Sequence, residues 1–476
     1  MIESSRWLTM SDGVRLDASI VAPAGPAPPG GWPALLLVHG HGEDGSKATC
    51  LPRARRNAGQ GYLCLCYSVR GQGGSEGLSF HLGAREIFDL QEVVAFARRE
   101  LPVDSARIGV CGGSQGGWHA WMAAAHTDVA TVVSENIFVD YAEFAVPSGA
   151  LSTWFFLRTM RRRVMSAGLQ DQARAWAIAG DWDRLRANLS PYSPRWFADR
   201  IRCPVMVVHG WHDVGMPSND LIAMFEALQV PKRLILGGGG HDGQDAEHAA
   251  AVRTELVDRW LAHWLKGEES GILAEPPLTV AVRPGWEHTG LTRLDAGGTL
   301  SLFLRHGGTL SVDPPEDATP NANVNHQPRT PAYTLEVALH RDLAGCDDAW
   351  PREEVRFDGP PLETELVLRG IPRFRLHVLP ERPWYQVHAE LWDVAPDGAT
   401  TLVTRGHCGA QHGPCAGHLC LDIEGRAVAY RVGAGHHLRV VVADQQPAYA
   451  IPVFRPWRAR LYHEQGRASH VVLPIA

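Results

Sequence analysis

The chain has 476 residues, 45% of them hydrophobic and 20% charged, with a net charge of −7 at pH 7. That length exceeds what one hydrophobic core supports, so two domains are expected. The acidic balance leaves no basic footprint for nucleic acid and no polybasic patch for a membrane, so the expected partner is a small neutral or mixed substrate.

The first residues, Met1 to Trp7, lack a charged-then-apolar leader, and no run approaches the length of a membrane span; a soluble cytoplasmic setting is expected. Nine cysteines are an odd number, and Cys64, Cys66, Cys111 and Cys203 lie in or beside apolar strand-like runs, which argues against a disulfide scaffold.

Taken in order, Trp7 to Met10, the turn Ser11-Asp12-Gly13, and Val14 to Val21 read as a β-hairpin. Leu35 to Val38 is a continuous apolar strand that ends in His39-Gly40-His41-Gly42, the pattern of a strand buried on both faces. Thr49 to Gly59 fits a helix and Tyr62 to Tyr67 a strand, followed by the loop Val69 to Gly77. Ala84 to Glu100 carries Ile87, Leu90, Val93 and Val94 on one helical face. The run Arg107 to Cys111 then breaks into Gly112-Gly113-Ser114-Gln115-Gly116-Gly117, and Gln115 to His126 has helical spacing. Gly112, Ser114 and Gly116 spell G-x-S-x-G, the turn in which a strand bends sharply into a helix and lifts a serine above the sheet.

After a strand at Val129 to Val133, the pattern changes to helical and aromatic. Strand and helix alternation resumes with Pro204 to Val208, Asn219 to Leu228, Arg233 to Leu236 and Ala246 to Leu265. The expected partition is an α/β-hydrolase core at 1–136 and 202–267 with a mostly parallel, doubly wound sheet, and a helical cap inserted at 137–201. From 271 to 476 short alternating segments punctuated by Gly, Pro and Asp predict an all-β jelly roll.

A serine hydroxyl becomes a useful nucleophile only when a base takes its proton and an acid orients that base. With Ser114 as nucleophile, the order serine, acid, histidine points to Asp213, after the Pro204–Val208 strand, and to His241, after the Leu234–Leu236 strand. Asp242 is the nearest rival acid and His248 the nearest rival base. The oxyanion donors expected are the backbone N–H of Gln115 and that of His41, with Gly42 as an alternative; the two loop histidines could instead only order that loop. Trp154 and Phe155 in the cap, with Trp211 beside the acid loop, are candidates to line a substrate pocket, although cap aromatics also serve as core. Arg158 and Arg161 to Arg163 read as a solvated helix face. The stretch His407 to Cys420 mixes His and Cys without a zinc spacing; no metal and no cofactor is expected, and a loop with incidental ligand types is the simpler reading.

Five stretches together resemble one family: Met10 to Leu16, Val69 to Gly77, Gly113 to Gly117, Gly210-Trp211-His212-Asp213, and Trp392 to Gly398. In this order they are similar to the cocaine esterase and X-prolyl dipeptidyl aminopeptidase family, the CocE/NonD hydrolases. The resemblance implies an α/β-hydrolase domain, a helical cap and a galactose-binding-like C-terminal jelly roll. It also implies Ser114, Asp213 and His241 as the triad of an acyl-enzyme mechanism. Three features depart from it. The loop after the early strand lacks the oxyanion tyrosine of the family's esterases, the cap is short for the family, and no carboxylate is identified for a substrate amine, with Glu135, Asp140 and Glu143 as candidates by position alone.

The reading is a serine esterase acting on a small-molecule carboxylic ester. Amide or X-prolyl dipeptide hydrolysis and acyl transfer are the enzyme alternatives. A carbohydrate-binding protein with an inert hydrolase domain is the non-enzyme alternative, and homo-oligomerisation stays open.

Overall fold

Apolar runs without polar alternation need cover on both faces, which in α/β architecture means central strands of a parallel sheet flanked by helices. The computed structural model describes residues 1–41, 45–80, 82–156, 167–211, 213, 215–241, 247–295, 297–316, 322–326, 352–411, 413, 417–446, 449–453 and 455–476. Two compact units emerge. One comprises Met1–Ala142, Arg158–Met216 and Asp220–Thr279; the other comprises Glu143–Leu157, Pro217–Asn219 and Val280–Ala476.

The first unit is built on β1 (Ile2–Thr9), β2 (Arg15–Ala22), β3 (Trp32–Val38), β4 (Leu63–Tyr67), β5 (Val103–Gly113), β6 (Thr131–Glu135), β7 (Val205–Gly210) and β8 (Lys232–Gly237), in the spatial order β1-β2-β4-β3-β5-β6-β7-β8. β1 and β2 are the antiparallel hairpin, and β2 adds antiparallel to β4. From β4 to β8 every neighbouring pair is parallel. The helices between them are α1 (Leu51–Gly59), α2 (Ala84–Glu100), α3 (Gln115–His126), α4 (Tyr141–Ala145), α5 (Ala167–Ala179), α6 (Trp182–Leu189), α7 (Ser218–Ala227) and α8 (Glu247–Leu261). β4 and β7 are buried at every residue, as their unbroken apolar sequences require.

This is the α/β-hydrolase class expected. The chain runs from β3 out to β4 and returns to β5 on the other side of β3, so strand order reverses there. In open α/β sheets such a reversal opens a crevice outside the C-terminal strand ends, where ligands bind. Boundaries shift modestly from those expected. The strand placed at Val129–Val133 is observed at Thr131–Glu135, and the last helix ends its α-helical turns at Leu261 before a wider turn through Lys266, capped by left-handed Gly267 (φ 73°).

From Val280 on the second unit is all-β, as expected. Its strands pair antiparallel along most of their length, as in Tyr385–Val394 against both Thr400–Ala410 and His437–Ala443. Alternate residues such as Leu376, Val387, Leu391, Val440, Leu461 and Val471 form its core. Within the same unit, Glu143–Leu157 packs on these strands. Ile451 N–H donates to Leu151 C=O at 2.8 Å, Thr153 N–H donates to Tyr449 C=O at 2.9 Å, and left-handed Gly149 leaves only 2.2 Å between where a Cβ would stand and Gly409 C=O. Among the described residues, no helix is long and apolar enough to cross a membrane.

Candidate active site

Ser114 stands where β5 ends and α3 begins, with φ 53° and ψ −122°, a backbone region that a residue bearing a Cβ enters only when its surroundings force it. The surroundings are the glycines. A Cβ on Gly112 would lie 2.6 Å from Val38 C=O, and one on Gly116 only 2.0 Å from the same oxygen. A Cβ on Gly117 would lie 2.8 Å from Glu135 C=O. The first turn of α3 is thus pressed between the ends of β3 and β6, and only glycine permits that approach. Ser114 N–H donates to Glu135 C=O at 2.9 Å, which fixes the bend.

Asp213 follows β7 and is 1% exposed. Its Oδ1 accepts the backbone N–H groups of Gly215 (3.1 Å) and Met216 (3.0 Å), while Oδ2 faces an imidazole partner. That partner is His241, after β8, whose Nδ1 lies 2.8 Å from Oδ2 and whose Nε2 lies 3.0 Å from Ser114 Oγ. A carboxylate only accepts, so Nδ1 carries the proton and Nε2 presents a lone pair to the serine hydroxyl. The structure therefore brings together Ser114, Asp213 and His241, separated by up to 127 residues in sequence. The rivals Asp242 and His248, with His212 and Gly42, fall outside the residues or side chains described.

On the other side of Ser114, the loop after β3 passes so close that a Cβ on Gly40 would lie 3.5 Å from the serine Cβ. His39 braces that loop, its Nδ1–H donating to Gly40 C=O at 2.8 Å while Nε2 accepts Val69 N–H at 2.9 Å. Burial pushes the His39 imidazole down to about 4, so it stays neutral at physiological pH. Gln115 opens α3, and a helix's first N–H groups have no carbonyl within the helix, so its backbone donor is available beside Ser114. The Gln115 side chain, 3% exposed, accepts from Gln72 Nε2 at 2.9 Å and from His41 Nδ1 at 3.2 Å, which joins the loops after β3 and β4 to the elbow. His119 donates Nδ1–H to Gln115 C=O at 2.8 Å, and burial lowers its imidazole to about 4 as well.

Two residues of the site were not singled out from sequence. Gln72 sits in the Val69–Gly77 loop already marked by the family resemblance. Asn136, after β6, has φ 45°; an asparagine just past a strand is a recognisable signal for left-handed backbone, but only the fold shows what it reaches.

The other candidates are placed differently. Glu135 pairs with Arg53 at 2.5 Å, Asp140 with Arg195 at 2.7 Å, and Glu143 accepts Ser148 N–H at 3.2 Å. Trp154 and Phe155 are buried in the second unit and meet Phe144 edge-on, with ring centroids 5.6 and 5.7 Å away. That is core packing within the Glu143–Leu157 segment. Trp211 is half-buried on the acid loop and donates its backbone N–H to Gly237 C=O at 3.0 Å. Arg158 and Arg161 to Arg163 lie outside the described residues. In the His407–Cys420 stretch, His407 Nε2 donates to Pro147 C=O at 3.0 Å and His418 meets His377 at 3.2 Å; Cys408 and Cys420 are free thiols, and His412 and Cys415 lie outside the described residues. Among the described residues no group of three or more His, Cys, Asp or Glu could hold a metal ion.

Residues 12–243 match the family model described as X-Pro dipeptidyl-peptidase (S15 family), and residues 270–456 match the X-Pro dipeptidyl-peptidase C-terminal non-catalytic domain. The chain thus carries an S15 peptidase domain followed by that family's C-terminal domain. Among curated relatives of this S15 chain, dipeptidyl-peptidase 5 of Porphyromonas gingivalis is 23% identical over 55% of the chain and 38% of its own length. An Xaa-Pro dipeptidyl-peptidase of Lacticaseibacillus casei is 24% identical over 47% of the chain and 30% of its own. The chain thus spans well under half the length of these relatives. Among solved structures, an α-amino acid ester hydrolase superposes with a TM-score of 0.79 at 16% identity, covering 100% of this chain and 96% of that one. A CocE/NonD family hydrolase from Staphylococcus aureus gives 0.77 at 16% identity, covering 100% and 94%. At such identities the likeness is one of fold.

Proposed function

We propose that this S15 hydrolase cleaves small-molecule carboxylic esters through an acyl-enzyme, with Ser114 as nucleophile, His241 as base and Asp213 as its orienting acid. The observation that carries the reading is the unbroken relay from Asp213 Oδ2 to His241 Nδ1 (2.8 Å) and from His241 Nε2 to Ser114 Oγ (3.0 Å), on a serine held at positive φ.

Ser114 Oγ attacks the ester carbonyl while its proton passes to His241 Nε2, and the buried Asp213 carboxylate stabilises the imidazolium. The carbonyl oxygen gains charge against the N–H of Gln115 and that of His41. Collapse breaks the bond to the alkoxy oxygen, which leaves as alcohol with the proton from His241. Water then enters, gives its proton to the same nitrogen, and releases the carboxylic acid and free Ser114.

Esters are favoured over X-prolyl peptides because of how the carboxylates beyond β6 are used. An aminopeptidase holds the free substrate amine with an available negative charge, whereas two of the three candidates, Glu135 and Asp140, are each committed to an arginine and the third, Glu143, accepts the backbone N–H of Ser148. The peptidase reading is supported by the family description and by the names of the relatives, and it is therefore the second arm of the test. Wild type and Ser114→Ala are assayed on p-nitrophenyl esters and on aminoacyl-p-nitroanilides. Ester turnover that drops by roughly four to six orders of magnitude in the variant is the expected result. Faster turnover of anilides bearing a free amine would move the assignment to aminopeptidase, and undiminished ester turnover by Ser114→Ala would remove the mechanism.

A further inference from the structure

Three turns must converge for the relay to exist: the elbow after β5, the acid loop after β7 and the base loop after β8. Strand pairing aligns the strand ends, but beyond β7 and β8 the two loops have left the ladder. They are pressed close, since a Cβ on Gly210 would stand 2.0 Å from Gly239 C=O. Something must set their spacing to the fraction of an ångström that proton transfer requires.

Asn136 bonds to the acid and base segments directly, and the residue before it reaches the elbow. Its chain neighbour Glu135 accepts Ser114 N–H through its carbonyl at 2.9 Å, and its own N–H donates to Val208 C=O at 2.9 Å. Its side-chain Oδ1 accepts Gly210 N–H, at the end of β7, at 3.0 Å. Its Nδ2 faces the carbonyls of Gly240 and His241, 3.4 Å from each. One short amide therefore accepts from the strand end that leads to Asp213 and donates to the backbone that carries His241. The left-handed φ of 45° aims it there, and asparagine is among the few residues with a side chain that tolerate that conformation.

Resting on the triad reading above, we infer that Asn136 is a positioning residue, whose side-chain amide sets the separation of the acid and base loops and so the alignment of His241 with Ser114. Its hydrogen bonds go to backbone groups of Val208, Gly210, Gly240 and His241 and not to the triad side chains, so it acts through the placement of His241. Asparagine alone does this at this place. Aspartate would keep the acceptor for Gly210 N–H but turn a carboxylate toward two carbonyl oxygens, and glycine would keep the backbone but bridge nothing.

The test compares wild type, Asn136→Gly and Asn136→Asp on the best p-nitrophenyl ester, with active sites titrated by a fluorophosphonate and folding followed by thermal unfolding. Glycine retains the positive φ, so it separates the amide from backbone strain. The expected result is a fall in kcat per titrated site of about 10- to 100-fold in both variants, with KM changed less than about 3-fold. Wild-type kcat per titrated site in Asn136→Gly overturns the inference, as does a loss of activity fully accounted for by fewer titratable sites. If Asn136→Gly unfolds, Asn136→Asp decides by the same criterion. Failure of the triad reading looks different: wild type would then not be labelled at Ser114, or Ser114→Ala would remain active, whatever the Asn136 variants do.

Discussion

His39 and His119 are 2% and 1% exposed, and neither takes part in the proposed proton relay. Both are neutral parts of the scaffold: each donates Nδ1–H to a backbone carbonyl at 2.8 Å, one within the loop after β3 and one at the start of α3. Burial holds each near 4, below the ordinary value of 6.5. As the pH falls below 6.5, the unfolded chain takes up these protons before the folded one does. Their neutral forms therefore contribute fully above about pH 6.5, and stability drains away between there and pH 4, by up to about 3 kcal/mol for each histidine. Urea midpoints measured at pH 7.5 and pH 5 should show that loss, and His119→Gln should reduce the difference between the two midpoints. An equal difference in the variant would mean that His119 takes up no such proton penalty. In sequence, His39 reads equally as an oxyanion-loop residue or as a brace; its exposure and its two backbone partners are what distinguish the roles.

At the level of elements, the site depends on where a helix start and two loop turns are allowed to approach neighbouring backbone. A Cβ on Gly116 or on Gly210 would stand only 2.0 Å from a backbone oxygen that cannot swing away. Gly116→Ala should push α3 off β3, cost about 1–3 kcal/mol or more, and lower ester turnover at least about 100-fold by moving Ser114. Gly59, at the end of α1, provides the contrast, because a Cβ there meets nothing within 4 Å. Gly59→Ala should leave turnover unchanged and stabilise by up to about 1 kcal/mol through the unfolded chain. Paired thermal melts and ester assays check both; an active, stable Gly116→Ala protein would show that the elbow does not need that contact. The G-x-S-x-G spacing announces Gly116, but it does not say which carbonyl that glycine spares.

At the scale of the whole molecule, the all-β unit has a charged device inside its core. Glu390, fully buried, accepts from both terminal nitrogens of Arg352 (2.7 and 2.8 Å), from Trp392 Nε1 (2.9 Å) and from Gln446 Nε2 (3.2 Å). Burial alone would raise this carboxyl; the Arg352 guanidinium overcomes that and keeps it ionised below the usual carboxylate range. Glu390→Gln leaves Arg352 with one carboxylate, that of Glu354 at 2.7 Å, in place of two, which should cost up to about 3 kcal/mol. Hydrogen exchange should show the protection lost in strands Glu354–Asp358, Tyr385–Val394 and His437–Ala443, which meet around this group, while β3 to β7 keep theirs. Uniform loss across both units would instead mean that they unfold as one.

Sequence by itself determined the elements and the division of labour. Hydrophobic period is a local property, so the buried strands, the amphipathic α2 and the alternating C-terminal strands are legible from residue type. The elbow motif with its chain order likewise pointed to Ser114, Asp213 and His241 without coordinates. Only the tertiary structure decided what lies between distant segments. It joined the Glu143–Leu157 segment to the all-β unit, committed Glu135 and Asp140 to arginines, and brought Asn136 and Gln72 against residues far along the chain. The reason is physical. A hydrogen bond or an ion pair depends on separations of a few ångströms across space, and spacing along a sequence carries that information only where one element contains both partners.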